Sequence, residues 1–188
     1  MLLTQNSKMR KTSQIMGIKT MNFSLPALST CPFAGECRKW CYASKGKFIW
    51  PIVRAKHQFN LQATTSDGFE VDMIEEIIMR EVGAVRIHDS GDFYTFKYFI
   101  RWVKITKALP HVTFYAYTKS IPLVQGIPLP YNFTLIYSYG GKADHLIDTE
   151  NDRHAKVFTD YIPTDYAYAN DNDHIALAKN NKIGLLKH

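Results

Sequence analysis

Two periods of apolar spacing take turns along the chain. From Ile18 to Leu25 (IKTMNFSL) apolar and polar residues alternate, which predicts a β-strand ended by Pro26. Trp50 to Ala63 (WPIVRAKHQFNLQA) has helical spacing with Pro51 at its first position. Asp67 to Val82 predicts a second amphipathic helix, with Asp67 as the cap, acidic residues in the early turns and Gly83 as the stop. Ala84 to Asp89 (AVRIHD) returns to period two. Phe93 to Leu109 is helical again, with Phe96, Phe99, Ile100 and Val103 on one face and Pro110 at its end. Val112 to Thr118 and Phe133 to Tyr139 predict two further strands, separated by a connection holding Pro122, Pro128 and Pro130 and closed by Gly140 and Gly141. The pattern is weaker at both ends. Residues 1–17 suggest a loose arm, and residues 142–188 an irregular part with a strand over Val157–Ile162, a loop over Asp165–Asp173 and a short helix plus strand over Ile175–Leu186.

Strands alternating with helices predict an α/β fold. The expectation is one domain over residues 1–188: a partial (β/α) barrel-like, mostly parallel sheet, helices on the outside, and a cysteine loop after the first long strand. In such folds the loops after the strand C-termini gather on one rim, where ligands bind.

Composition narrows the class. The chain has 188 residues, of which 46% are hydrophobic and 21% charged, ordinary values for a globular domain. No apolar run is long enough to span a bilayer, so no membrane partner is expected. The net charge of +6 is unevenly placed: residues 1–60 carry ten Lys/Arg against one Glu, and the remainder is net negative. A basic N-terminal half suits an anionic partner, nucleic acid or an acidic protein; it equally offsets negative charge built into the domain.

All three cysteines lie in one stretch, Thr30–Gly46 (TCPFAGECRKWCYASKG), as Cys31, Cys37 and Cys41. An odd number argues against a disulfide framework, and the polar start MLLTQNSKMRK carries no secretory signal, so a cytoplasmic, reducing setting is expected. There, clustered thiols serve as ligands or nucleophiles. Structural zinc wants four N/S ligands at shorter spacing, and only His57 is near in sequence to complete the set. Three thiolates with an open fourth position suit a [4Fe-4S] cluster better. Pro32 and Gly35 let the backbone curl around a core, and Arg38 and Lys39 place positive charge beside it.

A second unusual stretch, Arg86 to Phe93 (RIHDSGDF), ends a strand. Gly91 permits close approach of a ligand between Ser90 and Asp92. Asp89 and Asp92 are candidate acceptors for an amine, and His88 is a candidate acid/base or fourth cluster ligand. The alternative is an ordinary turn, with Ser90 or Asp92 capping the next helix and Arg86 paired to Asp89. On the following strands, Tyr117, Lys119 and Ser138 are candidates to line the same pocket, with Tyr115 on the same face.

The runs NFSLPALSTCPFAGECRKWCYASKGKF, AVRIHDSGDFYTFKYFIRWVKI and VTFYAYTKSI, in that order, resemble the phage-encoded "gene product 88" family. That resemblance implies a bacteriophage protein acting in the host bacterial cytoplasm, and implies no activity. More distantly, the layout is similar to the start of a radical S-adenosylmethionine enzyme. It implies three cluster-binding cysteines after the first strand, and a Gly-rich acidic turn, here Ser90-Gly91-Asp92, that holds the methionine amine. The spacing departs from that pattern: C-x5-C-x3-C here against C-x3-C-x2-C there.

Three functions follow as expectations. The first is a radical-SAM-like enzyme with an open iron facing a small molecule such as S-adenosylmethionine. The second is a non-catalytic Fe–S protein with a structural, electron-transfer or host-docking role. The third is a zinc-stapled nucleic-acid binder.

Overall fold

The computed structural model describes residues 1–178 and 180–187. Seven strands form one sheet, ordered β1-β2-β3-β4-β5-β7-β6, every neighbouring pair parallel, and the sheet curls into a half-barrel. The strands are β1 (Thr20–Phe23), β2 (Ala84–Ile87), β3 (Thr113–Thr118), β4 (Phe133–Ser138), β5 (His154–Phe158), β6 (Ala167–Tyr168) and β7 (Lys182–Leu186). The expected partial-barrel α/β fold is what forms.

Helices α2 (Pro51–Ala63), α3 (Phe69–Met79) and α4 (Phe96–Ala108) connect the first three strands. Phe69, Met73 and Ile77 of α3 and Phe99 and Trp102 of α4 pack in one apolar cluster with Met21, Phe23, Val85, Ile87 and Phe114 of the sheet. These strand residues alternate with the other face, as the period-two pattern requires. On that inner face Asn22, Arg86 and Tyr115 share one register row. Tyr115, Ile136, Ala155 and Ile183 form a second, smaller cluster there.

The inner face is closed by the chain ends. The expected loose arm is instead α1 (Ser7–Met16), capped by the Asn6 side chain, with Met9 and Thr12 fully buried. Lys8 pairs with Asp173 at 2.9 Å, and Thr12 Oγ1 accepts from the Asp173 N–H at 2.8 Å. Asp173 leads into α6 (His174–Leu177). Helices on the outside is therefore the rule for α2–α4, while α1 and α6 plug the half-barrel's open side.

Local boundaries moved for identifiable reasons. Gly68, not Asp67, stands at the α3 cap, and it makes no side-chain capping bond. Thr95 caps α4 by accepting from the Tyr98 N–H, so Phe93–Tyr94 stay outside the helix. The proline-rich connection contains a single turn, α5 (Ile121–Val124). The expected strand at Val157–Ile162 starts earlier, at His154, and the expected loop over Asp165–Asp173 contributes β6. The short helix and strand expected over Ile175–Leu186 are α6 and β7, with Lys179 between them outside the described residues.

Candidate functional site

The cysteine loop leaves β1 and is stitched to the loop after β2. The Leu25 N–H donates to the Ser90 carbonyl and the Ser90 hydroxyl to the Leu25 carbonyl, both at 2.8 Å. Gly91 sits at φ +85, and a Cβ there would stand 2.6 Å from Leu25 Cβ and 2.7 Å from Thr30 Oγ1, so only glycine fits this crossing. The loop then runs through three short 3-10 turns, Glu36–Trp40, Tyr42–Ser44 and Gly46–Ile49.

Its far side is fastened to the turn after β4. The N–H groups of Gly35 and Cys37 both donate to the Gly140 carbonyl at 3.1 Å, and Ala34 bridges to Gly141. Asp144 holds that turn, its two oxygens accepting from the N–H of Gly140 and of Gly141 at 2.8 Å each. Gly140 has φ +93, with Cys37 Cβ 3.3 Å from where a side chain would begin. In the sequence, Gly140 and Gly141 mark a strand end; their role as a seat for Cys37 depends on a contact a hundred residues away. Asp144 gave no signal of its own.

A cavity of about 280 Å³ opens at the C-terminal edge of the sheet between these loops. Cys31, Cys37 and Cys41 all line it, each half-buried and unbridged. Arg86, His88, Asp89, Ser90, Gly91 and Asp92 line it from β2 and its loop, and Tyr117, Lys119 and Ser138 from β3 and β4. The topology thus brings these twelve candidates to one cavity, whereas His57 and Tyr115 are not among its lining residues. Residues not anticipated there include Lys8 of α1, Trp40 and Tyr42 of the loop, and Lys187 beyond β7.

The side chains within it differ in how free they are. Asp92 is buried, and its carboxylate accepts from Thr118 Oγ1 at 2.6 Å, from the Phe93 N–H at 2.7 Å and from the Lys119 N–H at 2.8 Å. It therefore ties the ends of β2 and β3 together and caps no helix, with three of its roughly four acceptor positions taken. Burial raises its pKa against those bonds. Asp89 accepts from Asn6 Nδ2 at 2.8 Å and pairs with Arg86 at 3.5 Å, while the Tyr42 hydroxyl donates to its carbonyl. Arg86 binds Asp173 more closely, at 2.8 Å, and lies 5.1 Å from the centre of the Tyr117 ring. Lys119 Nζ donates to Ser138 Oγ at 2.8 Å.

His88 takes φ +68, which turns its ring out of the strand's alternation. The ring packs edge to face on Phe93 at 4.6 Å, and Nε2 bonds to the Tyr98 hydroxyl at 2.9 Å. Burial first, then Arg86, lowers its pKa to about 3, so the imidazole is neutral at physiological pH. It lies among aromatic rings with Nε2 already engaged.

Burial pushes the Cys31 thiol up to about 12, with Asp92 adding to the shift. Burial also raises Cys37, opposed by Lys119. These two thiols keep their protons at neutral pH unless a metal displaces them, which is the reverse of an activated nucleophile. Among the described residues, no three His, Cys, Asp or Glu side chains are grouped to hold one metal ion.

The Gene product 88 family model matches residues 1–188. The chain belongs to that family. No curated protein and no solved structure is significantly similar to it. In this Gene product 88 member no described helix is long and apolar enough to cross a membrane.

Proposed function

We propose that this protein holds a [4Fe-4S] cluster on Cys31, Cys37 and Cys41, and that an iron lacking a thiolate faces a small molecule in the adjoining cavity. The observation that carries this is the placement of three unbridged thiols in the lining of one cavity, at the ligand-binding edge of a parallel sheet. The donor set fits: three soft sulfurs, two of them buried enough to be poor thiolates until a cation replaces the proton. Three thiols, one short of the four N/S ligands that structural zinc takes, therefore favour the cluster over the zinc-stapled nucleic-acid binder.

A bound cluster with an open iron supplies one-electron chemistry and a site for a ligand heteroatom. The chain's own residues would then do three things. Lys119, held by Ser138, places positive charge beside Cys37. The Gly140–Gly141 turn fixes the backbone of Cys37. The Ser90-Gly91-Asp92 turn closes the base of the loop against Leu25 and Thr30. S-adenosylmethionine is the ligand we favour, because this turn follows the second strand beside the thiols. Its amine would need acceptors beyond Asp92, whose carboxylate already takes three hydrogen bonds and has room for one more.

Iron and sulfide quantification on anaerobically reconstituted protein tests the cluster. About four of each per chain are expected, lost in Cys37→Ser. Protein that takes up no iron, or one equivalent of zinc instead, overturns it. With a cluster in place, adding S-adenosylmethionine should shift the electron paramagnetic resonance of the reduced form. An unchanged spectrum leaves the non-catalytic Fe–S function.

A further inference from the structure

Large hydrophobic residues exposed singly are ordinary, but here they align. Of the fifteen among the described residues, seven fall within two short stretches, Ile49–Phe59 and Val71–Met79. Ile52 and Phe59, 77% and 50% exposed, are seven residues apart on α2 and therefore on one face. Val71 and Ile78, 56% and 57% exposed, repeat that spacing on α3, with Met79 beside them at 75%. The opposite faces of the two helices are already used, by His57 and Asn60 on α2 and by Phe69, Met73 and Ile77 on α3. Both apolar stripes thus face water.

Their surroundings carry opposite charge. Lys45 and Lys47 precede α2, Lys56 lies beside the stripe with its ammonium 5.1 Å from the Phe59 ring, and no Asp or Glu occurs from Cys37 to Ser66. Asp72, Glu75 and Glu81 flank the α3 stripe. Among the described residues none of these six makes an ion pair.

We propose that the basic α2 face of one copy docks on the acidic α3 face of a second copy. The apolar stripes supply the burial, and the unpaired charges steer the approach and set the register. A nucleic acid or an unrelated acidic protein would match only the α2 face and leave Val71, Ile78 and Met79 in water. A second copy covers both. The contact joins two different patches, so a closed dimer needs both copies to use both patches at once, about a two-fold axis. This inference does not rest on the cluster, and its test reads association alone.

Sedimentation of the full chain over a concentration series is the experiment. Self-association is expected, weakened as salt approaches about 1 M, where screening acts over about 3 Å. Ile52→Glu and Ile78→Lys are solvent-facing changes whose folding circular dichroism can check. Each should weaken association at least about tenfold, as loss of a central apolar anchor does. Mixed in equal amounts they should associate again, because each retains the face the other lacks. Three results overturn the pairing: a wild-type chain monomeric throughout, even if it captures added oligothymidylate or an acidic peptide; variants that associate like wild type; or a mixture that stays monomeric.

Discussion

Over the outer face of the sheet, Phe23 meets Trp102 and Phe69 edge to face at 5.4 and 5.8 Å, in an apolar cluster that only Arg101 edges, 5.2 Å from the Phe69 ring. Across the same strands, on the inner face, Arg86 and Asp173 form a buried ion pair to which Lys8, Asp89 and Tyr115 add partners. The outer face is held by area removed from water, which is non-directional and tolerant of exchange. The inner face is held by matched charges, whose desolvation offsets most of their attraction, so it adds specificity more than stability. What it specifies is closure: the ion pairs join a helix near the N-terminus to a segment some 160 residues later, beneath the cavity.

The largest effect should come from the outer face. Phe23→Ala removes a fully buried ring and should cost about 4 kcal/mol, read as a lower urea midpoint with unchanged slope. Asp173→Asn on the inner face should cost about 3 kcal/mol, because it leaves Arg86 and Lys8 with only Asp89 to balance them. The contrast lies in where the loss appears. Amide exchange in the aromatic mutant should rise throughout, whereas in the Asp173 mutant it should rise first in α1 and in β5–β7. Uniform loosening in both would erase the distinction between the two faces.

His88 gives the comparison a pH axis. The unfolded chain protonates its histidines below about pH 6.5, whereas folded His88 stays neutral down to about 3. The unfolded state therefore binds the extra proton, and stability falls as pH drops through that window, by about 2 kcal/mol at about pH 5. His88→Asn keeps a residue type that tolerates the left-handed backbone and removes the titration. Its urea midpoints should fall less steeply between these pH values; an unchanged slope would place the proton uptake elsewhere.

The two faces also differ in how well they could be read beforehand. The outer face writes itself into local periodicity: Met21 and Phe23, Val85 and Ile87, and the α4 stripe are each visible within a few residues. That was enough for β1 to β4, for the parallel half-barrel, and hence for the rim on which the cysteines and the RIHDSGDF turn meet. The inner closure has no local signature. α1 buries only Met9 and Thr12, so its apolar side is a single residue and its pattern looks like an arm. The Lys8–Asp173 pair joins two charges that each look solvated in their own neighbourhood. β6 is two residues long, shorter than one period test can detect. Asp92 was legible as a rim residue, but not that three donors already occupy its carboxylate.

The smallest expected effect on stability joins both halves of the comparison to the cavity. Asp144 touches neither core; it holds the N–H groups of Gly140 and Gly141, and Gly140 holds the N–H groups of Gly35 and Cys37. Asp144→Ala removes two charge-assisted bonds from a partly exposed turn, where water can replace them, so global stability should fall by only about 1 kcal/mol. The seat of Cys37 should loosen far more than the fold, and, on the cluster proposed above, iron retained after reconstitution and gel filtration should drop while the urea midpoint barely moves. Asp144→Asn keeps one acceptor and should lie between the two. If iron content instead tracks stability across both substitutions, the turn after β4 is ordinary scaffold and the cysteine loop is held from the β2 side alone, through Leu25 and Ser90.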